Sequence, residues 1–276
     1  MRVSVLPIVG VTLLMVAGPL LAASDWDDCK AASPDLDRAI AGCTRLIDNG
    51  QETVHYRAVA YANRAGAYVN KKDNDRAIAD ASEAIRLDPA IAYAYANRAA
   101  GYANKADRDL AIADYSEVIR LDPRNMSAYF NRGRAHLLNR ALPRAVADFN
   151  QASQLAPRDP YAALWLDIAG QRSNLPSGLP QAVTRIDMTA WPAPVIRLFM
   201  DQLTPAAALA AAEHPDATVK LGQICEANFY SGEFALRGAD TAEARRLFGL
   251  AARDCPKSFA EWEGANAELR ALGVAP

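Results

Sequence analysis

The chain has 276 residues, of which 51% are apolar and 22% charged, with 30 Lys and Arg against 32 Asp and Glu for a net charge of -2. That composition supports a core, and its charge balance excludes a generally basic nucleic-acid binder and an acidic disordered tail. Only three histidines occur, His55, His136 and His214, with no short motif shared between them. This argues against most histidine-based metallohydrolase and triad chemistry and favours binding.

Residues 1–23 read as a secretory signal peptide. Arg2 is the only charge before Asp25, residues 3–21 are almost wholly apolar, and small residues follow at Ala22 and Ala23. Pro7, Gly18 and Pro19 weaken the alternative of an uncleaved spanning helix, which needs about 20 good apolar residues. Cleavage near Ala23 predicts a periplasmic or secreted protein. A bacterial lipoprotein would carry cysteine directly after the small residues, whereas the first here is Cys29, so no stable membrane anchor is expected. Cys29, Cys43, Cys225 and Cys255 are even in number for an oxidising compartment, and no CxxC spacing marks a zinc ribbon. The local pairing 29–43 and 225–255 is one of three connectivities, with four buried free thiols as the alternative.

Segment 24–57 reads as a shortened N-terminal helical hairpin, because Asp37-Arg-Ala-Ile40 matches Asp75-Arg-Ala-Ile78. Residues 58–159 then form three regular units. Tyr61-Ala-Asn-Arg64, Tyr95-Ala-Asn-Arg98 and Tyr129-Phe-Asn-Arg132 recur at a step of 34, as do Ala77-Ile-Ala-Asp80, Ala111-Ile-Ala-Asp114 and Ala145-Val-Ala-Asp148, and also Pro89, Pro123 and Pro157. This is the tetratricopeptide repeat (TPR) pattern. In the middle unit the periodicity predicts helices near 91–104 and 109–121, with Asp107 capping the second and Leu121-Asp122-Pro123 ending it. Ala65, Ala99 and Gly133 let paired helices approach, and Tyr68, Tyr102 and His136 fill the space beyond them. Segment 160–215 reads as an irregular fourth unit: a first helix over Pro160–Gln171, an interrupted second one around 178–187, and short helices over 188–215. Segment 216–276 holds a C-terminal TPR unit from about Ala217, with Cys225 opening its first helix and Cys255 ending its second, then a capping helix over Ser258–Leu272. The fold expected is all-α, a TPR solenoid of stacked antiparallel helix pairs with a C-terminal capping helix.

Pro160-Tyr-Ala-Ala-Leu-Trp165-Leu, Ala169-Gly-Gln-Arg172, Trp191-Pro, Asn228-Phe-Tyr230 and Phe259-Ala-Glu261 resemble the periplasmic NlpI-type adaptor family over roughly 60–270. The resemblance implies an all-helical TPR protein, often dimeric, that brings a C-terminal processing protease together with peptidoglycan hydrolases. This chain departs from the family in lacking the lipobox cysteine and in carrying four cysteines.

No G-x-S-x-G, H-E-x-x-H, G-x-G-x-x-G or P-loop sequence occurs, so no catalytic residue, metal ligand or cofactor is expected and the chain reads as a non-enzyme. Arg64, Arg98 and Arg132 stand 16 residues before Asp80, Asp114 and Asp148. A feature repeated once per unit reads as a stacking device, and His136 as a packed core residue. Asn63, Asn97 and Asn131 sit on first helices, which line the concave face of a TPR stack, and their amides suit an extended peptide backbone. The lysines of a carboxylate clamp are missing, since Val59, Tyr93 and Ser127 occupy those positions. The protein-binding groove predicted is therefore Asn63, Tyr93, Asn97, Asn104, Phe130, Asn131, Arg134, Tyr161 and Trp165. The alternative has the aromatic rings filling helix–helix contacts and the asparagines making inter-repeat hydrogen bonds. The function expected is a non-catalytic periplasmic adaptor for partner proteins or peptide segments, such as an envelope protease or cell-wall hydrolase. Two alternatives remain: a homodimeric scaffold without a client, and an envelope hydrolase drawing on Asp187, Asp201, Glu213 and His214.

Overall fold

Short polar side chains start many of the helices in this chain. Asp35, Thr53, Asp73, Asn125, Asp159, Asp216 and Asp240 each accept a hydrogen bond from a backbone N–H of the turn that follows, which satisfies a donor the helix cannot satisfy itself. Asp107 occupies the N-cap position of its helix but makes no side-chain capping bond, a departure from the sequence expectation. The helix ends obey a second rule. Asp88 and Asp122, each followed by proline, leave the helical conformation while still donating to Ala84 and Val118, as the residue before proline must.

The computed structural model describes residues 25–30, 33–257 and 259–274. The signal peptide expected at 1–23 and its cleavage site near Ala23 lie outside them, as does Ser258. All regular structure among the described residues is helical, and the chain divides after Asn104 into two compact units.

The first unit contains a single helical turn α1 (25–28), then α2 (Leu36–Asp48), α3 (Val54–Asn70), α4 (Asn74–Leu87) and α5 (Ala92–Asn104). Its helix contacts are built largely from alanine: Ala58, Ala62, Ala84 and Ala94 are fully buried around Ile91. Such small side chains let neighbouring helices approach closely. Cys29 and Cys43 are joined by a disulfide that ties α1 to α2 beside Leu46 and Ala60. Arg64 grips Asp80 with two nitrogens, at 2.6 and 2.9 Å, and reaches Thr44 with a third at 2.9 Å.

The second unit contains α6 (Arg108–Leu121), α7 (Met126–Leu138), α8 (Leu142–Leu155), α9 (Pro160–Arg172), α10 (Leu179–Ala182), α11 (Ala193–Phe199), α12 (Pro205–Ala210), α13 (Ala217–Arg237), α14 (Thr241–Asp254) and α15 (Ala260–Ala271). The Arg–Asp device recurs here, with Arg132 holding Asp148 at 2.9 and 2.7 Å. His136 is buried, and burial lowers its pKa despite the Asp148 carboxylate 3.9 Å away. Phe149, Trp165, Phe229, Tyr230 and Phe248 form one aromatic core, and the Cys225–Cys255 disulfide links α13 to the end of α14. The second helix expected around 178–187 shrinks to the single turn of α10. Pro176 and Pro180 precede or start it, and β-branched Val183 and Thr184 follow it, which leaves no run able to propagate a helix.

Candidate functional site

The nine groove residues expected from the sequence fall in both units. In the first, Asn63 donates its amide to the Cys29 carbonyl at 2.9 Å, Asn97 to the Ala62 carbonyl at 2.9 Å, and Asn104 to the Asn74 side chain at 3.0 Å. The first bond ties α3 to the residue that follows α1 and the second ties α5 to α3, so these amide nitrogens are engaged within the fold. Tyr93 stands 40% exposed on α5.

In the second unit the fold brings four of the remaining five together. Phe130 and Asn131 on α7, with Tyr161 and Trp165 on α9, line a cleft of about 440 Å³ completed by side chains of α13 and α15. The spacing explains why. Phe130 and Asn131 lie on the first helix of one unit, Tyr161 and Trp165 on the first helix of the next, and Tyr161 and Trp165 are four residues apart on one helix face. Phe130 meets Trp165 edge to face at 6.3 Å, and Trp165 in turn stacks on Phe229 at 5.7 Å. Trp165 is only 2% exposed, so it is both a wall of the cleft and part of the core behind it. Arg134 does not line the cleft. Its guanidinium lies over the ring of Trp165, 5.7 Å from the ring centre, and is held by Glu263 at 3.1 Å and Asn131 at 3.4 Å.

The floor holds two residues that sequence reasoning missed, Glu226 and Glu261. Glu226 accepts from Tyr161 Oη at 2.9 Å and Trp191 Nε1 at 2.8 Å, both on its Oε2. Glu261 accepts from Tyr230 Oη at 3.1 Å. Burial, and then the neighbouring Glu261 carboxylate, push the Glu226 pKa up to about 7; burial also raises Glu261 and Tyr161. A signal was present in the sequence. Cys225-Glu-Ala-Asn-Phe-Tyr230 sets one charged residue in a run that is otherwise uncharged, and a buried charge needs a partner.

The groups of the hydrolase alternative are spread over the exposed surface, each with its own partner. Asp187 holds Thr189, Asp201 pairs with Arg237, Glu213 pairs with Lys220 at 2.7 Å, and His214 accepts from the Asp216 backbone. Among the described residues no group of three or more His, Cys, Asp or Glu is arranged to hold a metal ion, and no helix is long and apolar enough to cross a membrane.

The tetratricopeptide repeat family matches residues 58–91 and 92–125. Among solved structures, a tetratricopeptide repeat protein from Parabacteroides merdae is 15% identical with a TM-score of 0.58, over 91% of this chain and 98% of that one. Yeast Tom70 is 18% identical with a TM-score of 0.54, over 92% of this chain and 63% of that one. The Arabidopsis OM64 TPR domain is 26% identical over 42% of this chain and 97% of that one, with a TM-score of 0.41. The first two likenesses agree with the helix pairs described above in establishing an all-α TPR fold.

Proposed function

We propose that the protein is a non-catalytic adaptor that holds a segment of a partner protein in the cleft between α7, α9, α13 and α15. One observation carries this reading: Phe130, Asn131, Tyr161 and Trp165, selected by repeat spacing alone, converge on a single cavity whose size suits a bound segment of a few side chains. Stacked TPR helix pairs serve protein–protein contact, and an aromatic cleft with an amide at its wall supplies apolar anchoring and hydrogen-bonded register. The two disulfides suit an oxidising, extracytoplasmic compartment. The resemblance to NlpI-type adaptors extends the proposal to a periplasmic protein that links an envelope protease with peptidoglycan hydrolases.

Affinity capture from an envelope extract tests it, using the disulfide-intact chain beside Phe130→Ala and Ser127→Tyr. Phe130→Ala removes an aromatic anchor, and Ser127, exposed at the rim, becomes a steric plug. The expected outcome is a partner retained by the wild type and weakened about 30-fold or more by either variant, with thermal unfolding of Ser127→Tyr unchanged. Equal recovery by all three proteins removes the cleft from the account. Recovery of nothing but the chain itself moves the reading to a homodimeric scaffold.

A further inference from the structure

The cleft is aromatic on its walls and acidic on its floor. Phe130, Tyr161, Trp165 and Phe259 line it together with Asp159, Glu226 and Glu261, and none of its lining residues is Lys, Arg or His. Asp159 is committed to the fold, since it caps α9 through Ala162 N at 2.8 Å. Glu226 is not. It is 9% exposed, its two donors are neutral, and both reach Oε2, so Oε1 has no protein donor among the described residues. Glu261, 5% exposed, likewise has a neutral donor in Tyr230. Arg134 draws Glu261 down without outweighing its burial, and its own hydrogen bonds go to Glu263 and Asn131.

Two carboxylates buried close together with no cation between them are costly, and the cost is removed by a cation of the right reach. The same unit does pair two other buried carboxylates with a cation: Glu233 and Glu268 share Arg172 at 2.6 and 2.9 Å. The cleft thus presents the counter-charges and leaves the cation to be supplied from outside. Its aromatic faces add to that preference, because ring quadrupoles attract an ammonium or guanidinium and ring bodies cover its alkyl stem.

We infer that the partner segment held by this cleft presents a Lys or Arg among apolar residues, its charged head seated on Glu226 Oε1 and Glu261 and its stem lying against Phe130 and Tyr161. This assignment rests on the adaptor reading above and names the chemistry of the partner. It also gives binding a pH dependence. Glu226, facing Tyr161 on α9, Tyr230 on its own helix α13 and Glu261 on α15, with the Arg134–Glu263 pair beyond, loses its proton as pH rises through about 7. A basic side chain is therefore held more tightly above that value than below it.

The test is selection from a random twelve-residue phage-displayed peptide library on the disulfide-intact protein at about pH 8, run in parallel on Glu226→Gln and Phe130→Ala. The expected result is enrichment of peptides that share one Lys or Arg at a fixed position between apolar residues. The best of them, made synthetically, then binds about tenfold more weakly when that residue is changed to Gln. It binds about tenfold more weakly to Glu226→Gln or Glu261→Gln as well, and several-fold more weakly at about pH 5.5 than at about pH 8. Enriched peptides without a basic residue, or affinity unchanged by both Gln variants, overturn the inference and leave the adaptor reading standing. No enrichment beyond that obtained on Phe130→Ala overturns both. Thermal unfolding of either Gln variant at or above that of the wild type keeps the comparison a measurement of binding.

Discussion

Arg172 is held between Glu233 and Glu268, three charged side chains in which both carboxylates are 5–6% exposed. Glu226 is nearly as buried, yet receives only Tyr161 and Trp191. The difference appears in protonation: burial and the nearby Glu261 raise Glu226 from 4.5 to about 7. The sign of its effect on stability follows. The folded chain keeps a proton between about pH 4.5 and 7 that the unfolded chain has released, so stability falls as pH rises across that window and stays reduced above it. Glu226→Gln retains the acceptor for Tyr161 and Trp191 and has no proton to lose. Its unfolding free energy in urea is expected to match the wild type near pH 4 and to exceed it by about 3 kcal/mol at pH 8, from about 1.4 kcal/mol per pKa unit. Equal pH dependence of the two proteins would mean that Glu226 already has a counter-ion in the free chain.

At the scale of the helices, the turn between the two members of a pair is set by backbone geometry more than by side-chain identity. Lys72, Ala106, Arg140 and Asn174, each 34 residues from the next, all take a left-handed φ of 57–63°, and Ala239 does so at the corresponding turn between α13 and α14. In four of the five the residue that follows closes the turn onto the end of the preceding helix: Asp73 N reaches Tyr68 O, Ala141 N reaches His136 O, Leu175 N reaches Gly170 O and Asp240 N reaches Ala235 O, the bond of a Schellman cap. Little in the residue types announces this, since none of the five is glycine and only Asn174 has a marked tolerance for the conformation. The close approach of paired helices was more legible. Gly133 lies against Phe149, and Gly232 repeats the arrangement against Phe248, where an added Cβ would sit 2.7 Å from the ring. Phe248 is fully buried and has nowhere to go, so Gly232→Ala is expected to cost about 1–3 kcal/mol through forced displacement. Urea denaturation checks it; a loss below about 0.5 kcal/mol would mean that the ring moves freely.

At the scale of the whole chain, each of the two units carries its own disulfide and its own buried cluster, and the candidate site belongs to the second. The repeat period made the walls of the cleft legible: Phe130 and Asn131 sit at one offset, Tyr161 and Trp165 at related positions one unit later. The floor was not legible, because the period fails over 173–215. Without it nothing in the sequence says which residues of α13 and α15 return to α9. Glu226, Glu261 and Phe259 arrive there through tertiary packing, with Trp191 in the aperiodic stretch supplying a hydrogen bond to Glu226. The asparagines were read for their amides, two of which the fold spends on the backbone carbonyls of Cys29 and Ala62.

Site-specific photo-crosslinking in the living cell tests the central claim most directly, with a benzophenone amino acid at Ser127, on the rim of the cleft, and as a control at Glu243 on α14. The account predicts an adduct with another protein from position 127, competed away by excess of a basic peptide selected on the purified chain, and none from position 243. An adduct from 243 with none from 127 would contradict it and put the partner on a different face of the second unit.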